Sequence, residues 1–137
     1  MEGFGMTVRQ AIFAVLEADS TLAGLASGGI HWRKAPQSST PPMCIYAKSS
    51  GVRRWAFDGP PMHNEVWLIK GVGFIDDAEA IDERVQKIFD GAVLSVDNHI
   101  VLLKPMPEED VSVEDQEYGE TFDHVGTYYR IVTERAS

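Results

Sequence analysis

Four histidines, one cysteine and several clusters of carboxylates are the side chains of this chain that could do chemistry. His31, His63, His99 and His124 are scattered, and none stands at metal-ligand spacing from another His or from Cys44. They read as surface or turn residues. Cys44 lies in the apolar run Met43–Ala47, which suits a buried structural thiol rather than a nucleophile. As the lone cysteine it can form no intramolecular disulfide. Asp76, Asp77 and Glu79 could ligate a metal, but their place at the start of a helix accounts for all three. Glu108-Glu109-Asp110 and Glu114-Asp115-x-Glu117 lack the regular spacing and central glycine of a calcium loop. They read as solvated charge on an exposed loop spanning Pro107–Asp123. Gly71-x-Gly73 lacks the third glycine of a dinucleotide loop, and no serine sits in a G-x-S-x-G elbow. No catalytic, cofactor-binding or metal-ligating residue is assigned, and the chain reads as a non-enzyme.

The elements around these residues follow from capping and periodicity. Thr7 with Gln10 three residues on forms a capping-box pattern before Val8, Ile12, Val15 and Leu16, so a helix is expected over Val8–Ala18. Asp19-Ser20 ends it and caps a short turn, Thr21–Ala26. Ser27-Gly28-Gly29 breaks the chain. Strands are expected at Ile30–Lys34, Met43–Ser49 and Asn64–Phe74, with Val52–Phe57 as an extension of the second into a hairpin arm. Asp58-Gly59-Pro60-Pro61 is a turn. A second main helix is expected from the N-cap Asp76 to Gly91, burying Ile81, Val85, Ile88 and Phe89. Val96–Lys104 reads as a strand ended by Pro105 and Pro107. Val125–Arg135 is the last, with Tyr129, Ile131 and Thr133 on one face. The sum is an α+β domain covering residues 1–137: a mostly antiparallel sheet of about five strands, with two main helices packed on one face.

Composition narrows the function. The net charge of −9 and the absence of a basic stripe argue against tight DNA binding. An acidic surface still lets DNA slide past, because repulsion prevents sticking. No apolar run approaches the roughly 20 residues of a membrane span, and no signal peptide is visible. A reducing cytoplasm suits the lone thiol. The segment Arg53-Arg54-Trp55-Ala56-Phe57, with Met62 beyond the turn, is rich in the residue types of interface cores. Arg53, Arg54, Trp55, Phe57 and Met62 are therefore candidates for an intersubunit contact, and the sheet-packing role of Trp55 and Phe57 is the alternative. Glu108, Glu109, Asp110, Glu114, Asp115 and Glu117 are candidates to line a bore or meet a partner.

Read as an ordered series, these segments resemble the tail terminator (tail completion) proteins of long-tailed bacteriophages. The likeness runs from Thr7–Ala18 and Asp19-Ser20-x-Leu22 through Ile30-His31-Trp32, Ala35-Pro36 and Pro42-Met43-Cys44-Ile45-Tyr46. It continues in Glu65–Gly73, Asp76–Phe89 and Tyr128-Tyr129-Arg130-Ile131. The charged segment 108–123 and Met43, where a Tyr often stands, depart from the pattern. The resemblance implies a structural virion protein, assembled in the host cytoplasm, whose six copies form a ring on the tail tube. The ring stops tube polymerisation and offers a surface to the head connector or stopper, and DNA passes through without specific binding. No cofactor and no membrane are implied. Two other readings stay open at this stage. One is a head-tail connector or stopper protein. The other is a small ligand-binding or enzymatic dimer using His31, His99, Tyr46 and Tyr129.

Overall fold

In the computed structural model, which describes residues 7–36, 39–54, 62–91, 94, 96, 99–117 and 120–135, the chain opens with a reciprocally capped helix. Thr7 Oγ1 accepts from the Gln10 amide at 3.2 Å, and Gln10 Oε1 accepts from the Thr7 amide at 2.9 Å. These bonds satisfy two donors that α1 (Val8–Glu17) would otherwise leave open. Ala11, Ile12 and Leu16 are its buried stripe. Asp19 caps the short α2 (Ser20–Leu25), accepting from the Leu22 amide at 2.8 Å. The same carboxylate takes both arms of the Arg84 guanidinium, from Nε at 3.0 Å and Nη2 at 2.7 Å. Those Arg84 bonds are the main reason the Asp19 carboxyl titrates below its ordinary value. Asp19→Ala is expected to cost about 1–2 kcal/mol, the usual loss for a cap. The wild-type advantage is present above pH 3.8, the ordinary carboxyl value, and disappears as pH falls through the lowered folded value. Urea midpoints of both proteins at neutral and acid pH check this.

Five strands form one sheet in the order β1-β2-β3-β5-β4. They are β1 (Ile30–Trp32), β2 (Met43–Arg54), β3 (Met62–Gly73), β4 (His99–Glu117) and β5 (Glu120–Arg135). The long α3 (Ile75–Gly91) joins β3 to β4. β1 runs parallel to β2, and every other pairing is antiparallel. The expected α+β class, with helices on one face of a largely antiparallel sheet, is therefore what the chain adopts.

Several boundaries differ from expectation, among them the start of β5, which is Glu120 and not Val125. α3 starts at Ile75, so Asp76 lies inside the first turn and not at the cap. There it still meets the positive end of the helix dipole. β2 runs on to Arg54, as its expected extension requires, with a bulge between Lys48 and Ser50. The largest difference is β4. Residues 108–117 are strand, not an exposed loop, and Pro105 and Pro107 do not end it. β4 is the sheet edge, where a proline can face outward without removing a ladder bond. It is 19 residues long against 16 in β5, and three bulges, all between Val101 and Glu109, absorb the excess.

The helix-side core gathers Ile12, Leu16, Leu22, Cys44, Tyr46, Trp67, Ile69, Ile81, Val85, Phe89, Tyr129 and Ile131. Period-2 alternation puts Trp67 and Ile69, and Tyr129 and Ile131, on the same face, as the sequence predicts. A smaller cluster of Met43, Ile45, Val72 and Phe122 lies on the other face, with Ala35 packed on it. Burial pushes the Cys44 thiol up to about 12, so it is inert packing.

Candidate assembly interface

The two edges of the sheet are built differently. β1 is only three residues long and covers β2 at Cys44–Tyr46. Arg33 then takes a left-handed backbone conformation (φ 67°), its amide donating to the Tyr46 carbonyl at 2.9 Å, and the chain leaves the sheet. From Ala47 to Arg54 no described strand pairs with the outer side of β2. This edge is basic. Six of the 12 Lys and Arg residues flank it: Arg9, Arg33, Lys34, Lys48, Arg53 and Arg54. At its β1 end Trp32 is 39% exposed, and the Arg9 and Arg33 guanidinium carbons stand 4.7 and 4.2 Å from its ring centroid. These cation–π contacts hold two charges and an aromatic face together at the surface.

The expected hairpin arm is the far end of this edge. Arg53 and Arg54 pair with His63 and Met62 across β2 and β3, so the structure brings Arg53, Arg54 and Met62 together at one corner of the sheet. Trp55 and Phe57 lie outside the described residues.

The opposite edge is β4. Glu108 sits in its last bulge, and Glu109–Glu117 pairs regularly with Glu120–Tyr128. Glu109, Asp110, Glu114, Asp115 and Glu117 all belong to this regular stretch. Val113 within it is 52% exposed. The acidic residues thus form one charged edge, in place of the flexible segment expected. Register places Glu109, Asp110 and Glu114 level with β3 residues 68, 69 and 73, and Asp115 and Glu117 beyond its end, whereas Arg53 and Arg54 are level with 62–63. The acidic stretch and the Arg53–Arg54 end of the basic edge therefore lie at diagonally opposite corners, while Trp32 is level with Ile69 and Asp110.

His31 Nε2 is engaged by the Gly28 carbonyl at 2.9 Å, inside its own turn. Tyr46 and Tyr129 are buried in the core. The His99 side chain lies outside what the structure describes. Among the described residues no three His, Cys, Asp or Glu side chains gather as a metal would need. Among the described residues no helix is long and apolar enough to cross a membrane.

A chain from a virion has the same architecture. It belongs to the "Virion of native gene transfer agent (GTA) particle", with a TM-score of 0.78 and 14% identity. The match covers 93% of this chain and 95% of that one, so the likeness is of whole domains and not of a shared motif. At that identity the fold alone is established. No family model and no curated protein matches the sequence.

One polar network inside this fold escaped sequence reading. Asp82 lies on the buried side of α3, between Ile81 and Val85, and is 9% exposed. Its Oδ1 accepts from Thr127 Oγ1 of β5 at 2.8 Å, and its Oδ2 accepts from Gln86 Nε2 at 3.0 Å. Asp110 Oδ1 of β4 also approaches Thr127 Oγ1, at 3.3 Å. A hydroxyl has one proton and can donate to only one of the two carboxylates. Burial raises the Asp82 carboxyl above its ordinary value. The bonds from Thr127 and Gln86 oppose that rise, while the charges of Asp110 and Glu83 add to it. The folded chain therefore holds the Asp82 proton more tightly than the unfolded chain. This contribution to stability is full below pH 3.8 and is lost as pH rises through the raised folded value. Asp82→Asn is expected to remove that loss, since an amide can donate to Thr127 while the hydroxyl donates to Asp110. Melting temperatures of both proteins should diverge in favour of the variant as pH rises from acid to neutral.

Proposed function

We propose that this chain is a structural virion protein of the tail terminator type. Six copies form a ring on the last ring of the tail tube, stop its polymerisation, and present the far surface to the head connector or stopper. DNA passes through the ring without specific binding. The protein assembles in the host cytoplasm and resides in the virion tail. The observation that carries this reading is the end-to-end fold likeness to a chain of a virion particle. The terminator role in particular draws on the ordered series of segments from Thr7 to Ile131. A net charge of −9 agrees with DNA that slides and does not stick. A ring of this kind makes and breaks no covalent bond.

Solution mass by light scattering over a concentration series tests the proposal. A species of six copies is the expected result. A tight dimer at every concentration would overturn the ring and favour a pocket-bearing alternative.

A further inference from the structure

Among the described residues each copy of the chain carries one basic and one acidic open edge, and each edge bears an exposed apolar side chain, Trp32 and Val113. We infer that copies join edge to edge, the Glu109–Glu117 stretch of β4 in one copy docking against the basic β1–β2 edge of the next. The inference rests on the ring proposed above and names the surfaces that build it.

Three features select this pairing. Open strand edges present unpaired amides and carbonyls that another strand can satisfy. On β4 the bulges and prolines that would block pairing all precede Glu109, which leaves the acidic stretch regular. Charge then decides which edges meet. Two β4 edges set against each other would oppose Glu109, Asp110, Glu114, Asp115 and Glu117 with the same five acids, and like charges across strands are destabilising. A two-fold dimer through either edge is therefore disfavoured, whereas acidic against basic is attractive. That contact is head-to-tail, and a head-to-tail contact generates a ring when its rotation closes. The basic edge is level with β3 residues 62–69 and the acidic stretch with residue 68 and beyond, so edge-to-edge pairing staggers each copy against the last, as closing a sheet around an axis requires.

Charge reversal tests this on the full chain. The first variant carries Lys48→Glu and Arg54→Glu, reversing two of the six basic positions on the basic edge. The second carries Glu109→Lys and Glu114→Lys, reversing two of the five acids of the other. The mass of each, of their equimolar mixture and of a chain with all four changes is compared with wild type. Each variant alone is expected to need a concentration about tenfold or more above wild type for half assembly. The mixture and the four-change chain are expected to regain wild-type assembly, the mixture by alternating copies around an even-numbered ring. Circular dichroism identical to wild type shows that the variants fold. Either two-change variant assembling as well as wild type, or no recovery in the mixture and the four-change chain, would overturn the edge assignment. Failure of the wild-type chain itself to form a ring would overturn the functional proposal instead.

Discussion

Gly71→Val is expected to abolish the native fold, and Gly71→Ala to cost about 3 kcal/mol, the upper end of the usual range for overpacking. Gly71 lies on β3 between Cys44 of β2 and Val125 of β5. A Cβ there would stand 2.7 Å from the Ala78 carbonyl oxygen, 2.7 Å from Ile81 Cβ and 2.9 Å from Ile81 Cγ2. Carbon contacts are favourable near 3.5–4.0 Å, so α3 must move away from the sheet. The Ala78 carbonyl is helix backbone and cannot swing aside as a side-chain tip would. Moving α3 also withdraws Ile81, Val85 and Phe89 from the core they fill. Valine adds two further carbons to this collision, against a total stability that for domains of this kind is about 5–15 kcal/mol. Urea unfolding of the alanine variant and circular dichroism of the valine variant give the result. An unchanged urea midpoint for Gly71→Ala would mean that α3 does not rest on Gly71 as described.

Phe89→Ala is expected to cost about 3–5 kcal/mol, the range for a buried aromatic cut to alanine. Phe89 is 1% exposed, and its ring meets Tyr129 of β5 edge-on at 5.0 Å and 68°. Edge-to-face pairs add to the burial term. Phe89→Leu keeps most of the volume and is expected to cost only about 1–1.5 kcal/mol. A loss below about 1 kcal/mol for alanine, set against that range, would show that the last turns of α3 are not anchored on β5.

What was legible in the sequence followed local rules that tertiary packing did not override. The Thr7–Gln10 box, the Asp19 cap, the Ile81-Val85-Phe89 stripe and the Tyr129-Ile131-Thr133 alternation each fix an element by short-range chemistry. β4 was not legible because its signals are ambiguous without knowing its neighbours. Pro105, Pro107 and a run of carboxylates mean loop in a central position and are tolerated on an edge. The same blind spot hid the placement of the two charged edges. Arg53 and Arg54 were visible as a basic pair and Glu109–Asp115 as an acidic run. Only the strand order shows that they lie on opposite edges of one sheet. Asp82 was hidden because a carboxylate beside Ile81 reads as helix surface. Its buried partner Thr127 is 45 residues away.

The proposed role is tested most directly on tail tubes. Purified tubes of the cognate tail tube protein are incubated with this chain, then supplied with fresh tube subunits, and their lengths are measured by electron microscopy. The account predicts that tubes carrying a ring at one end keep their length while untreated tubes elongate. Treated tubes that elongate like untreated ones, with no added density at their ends, would contradict it.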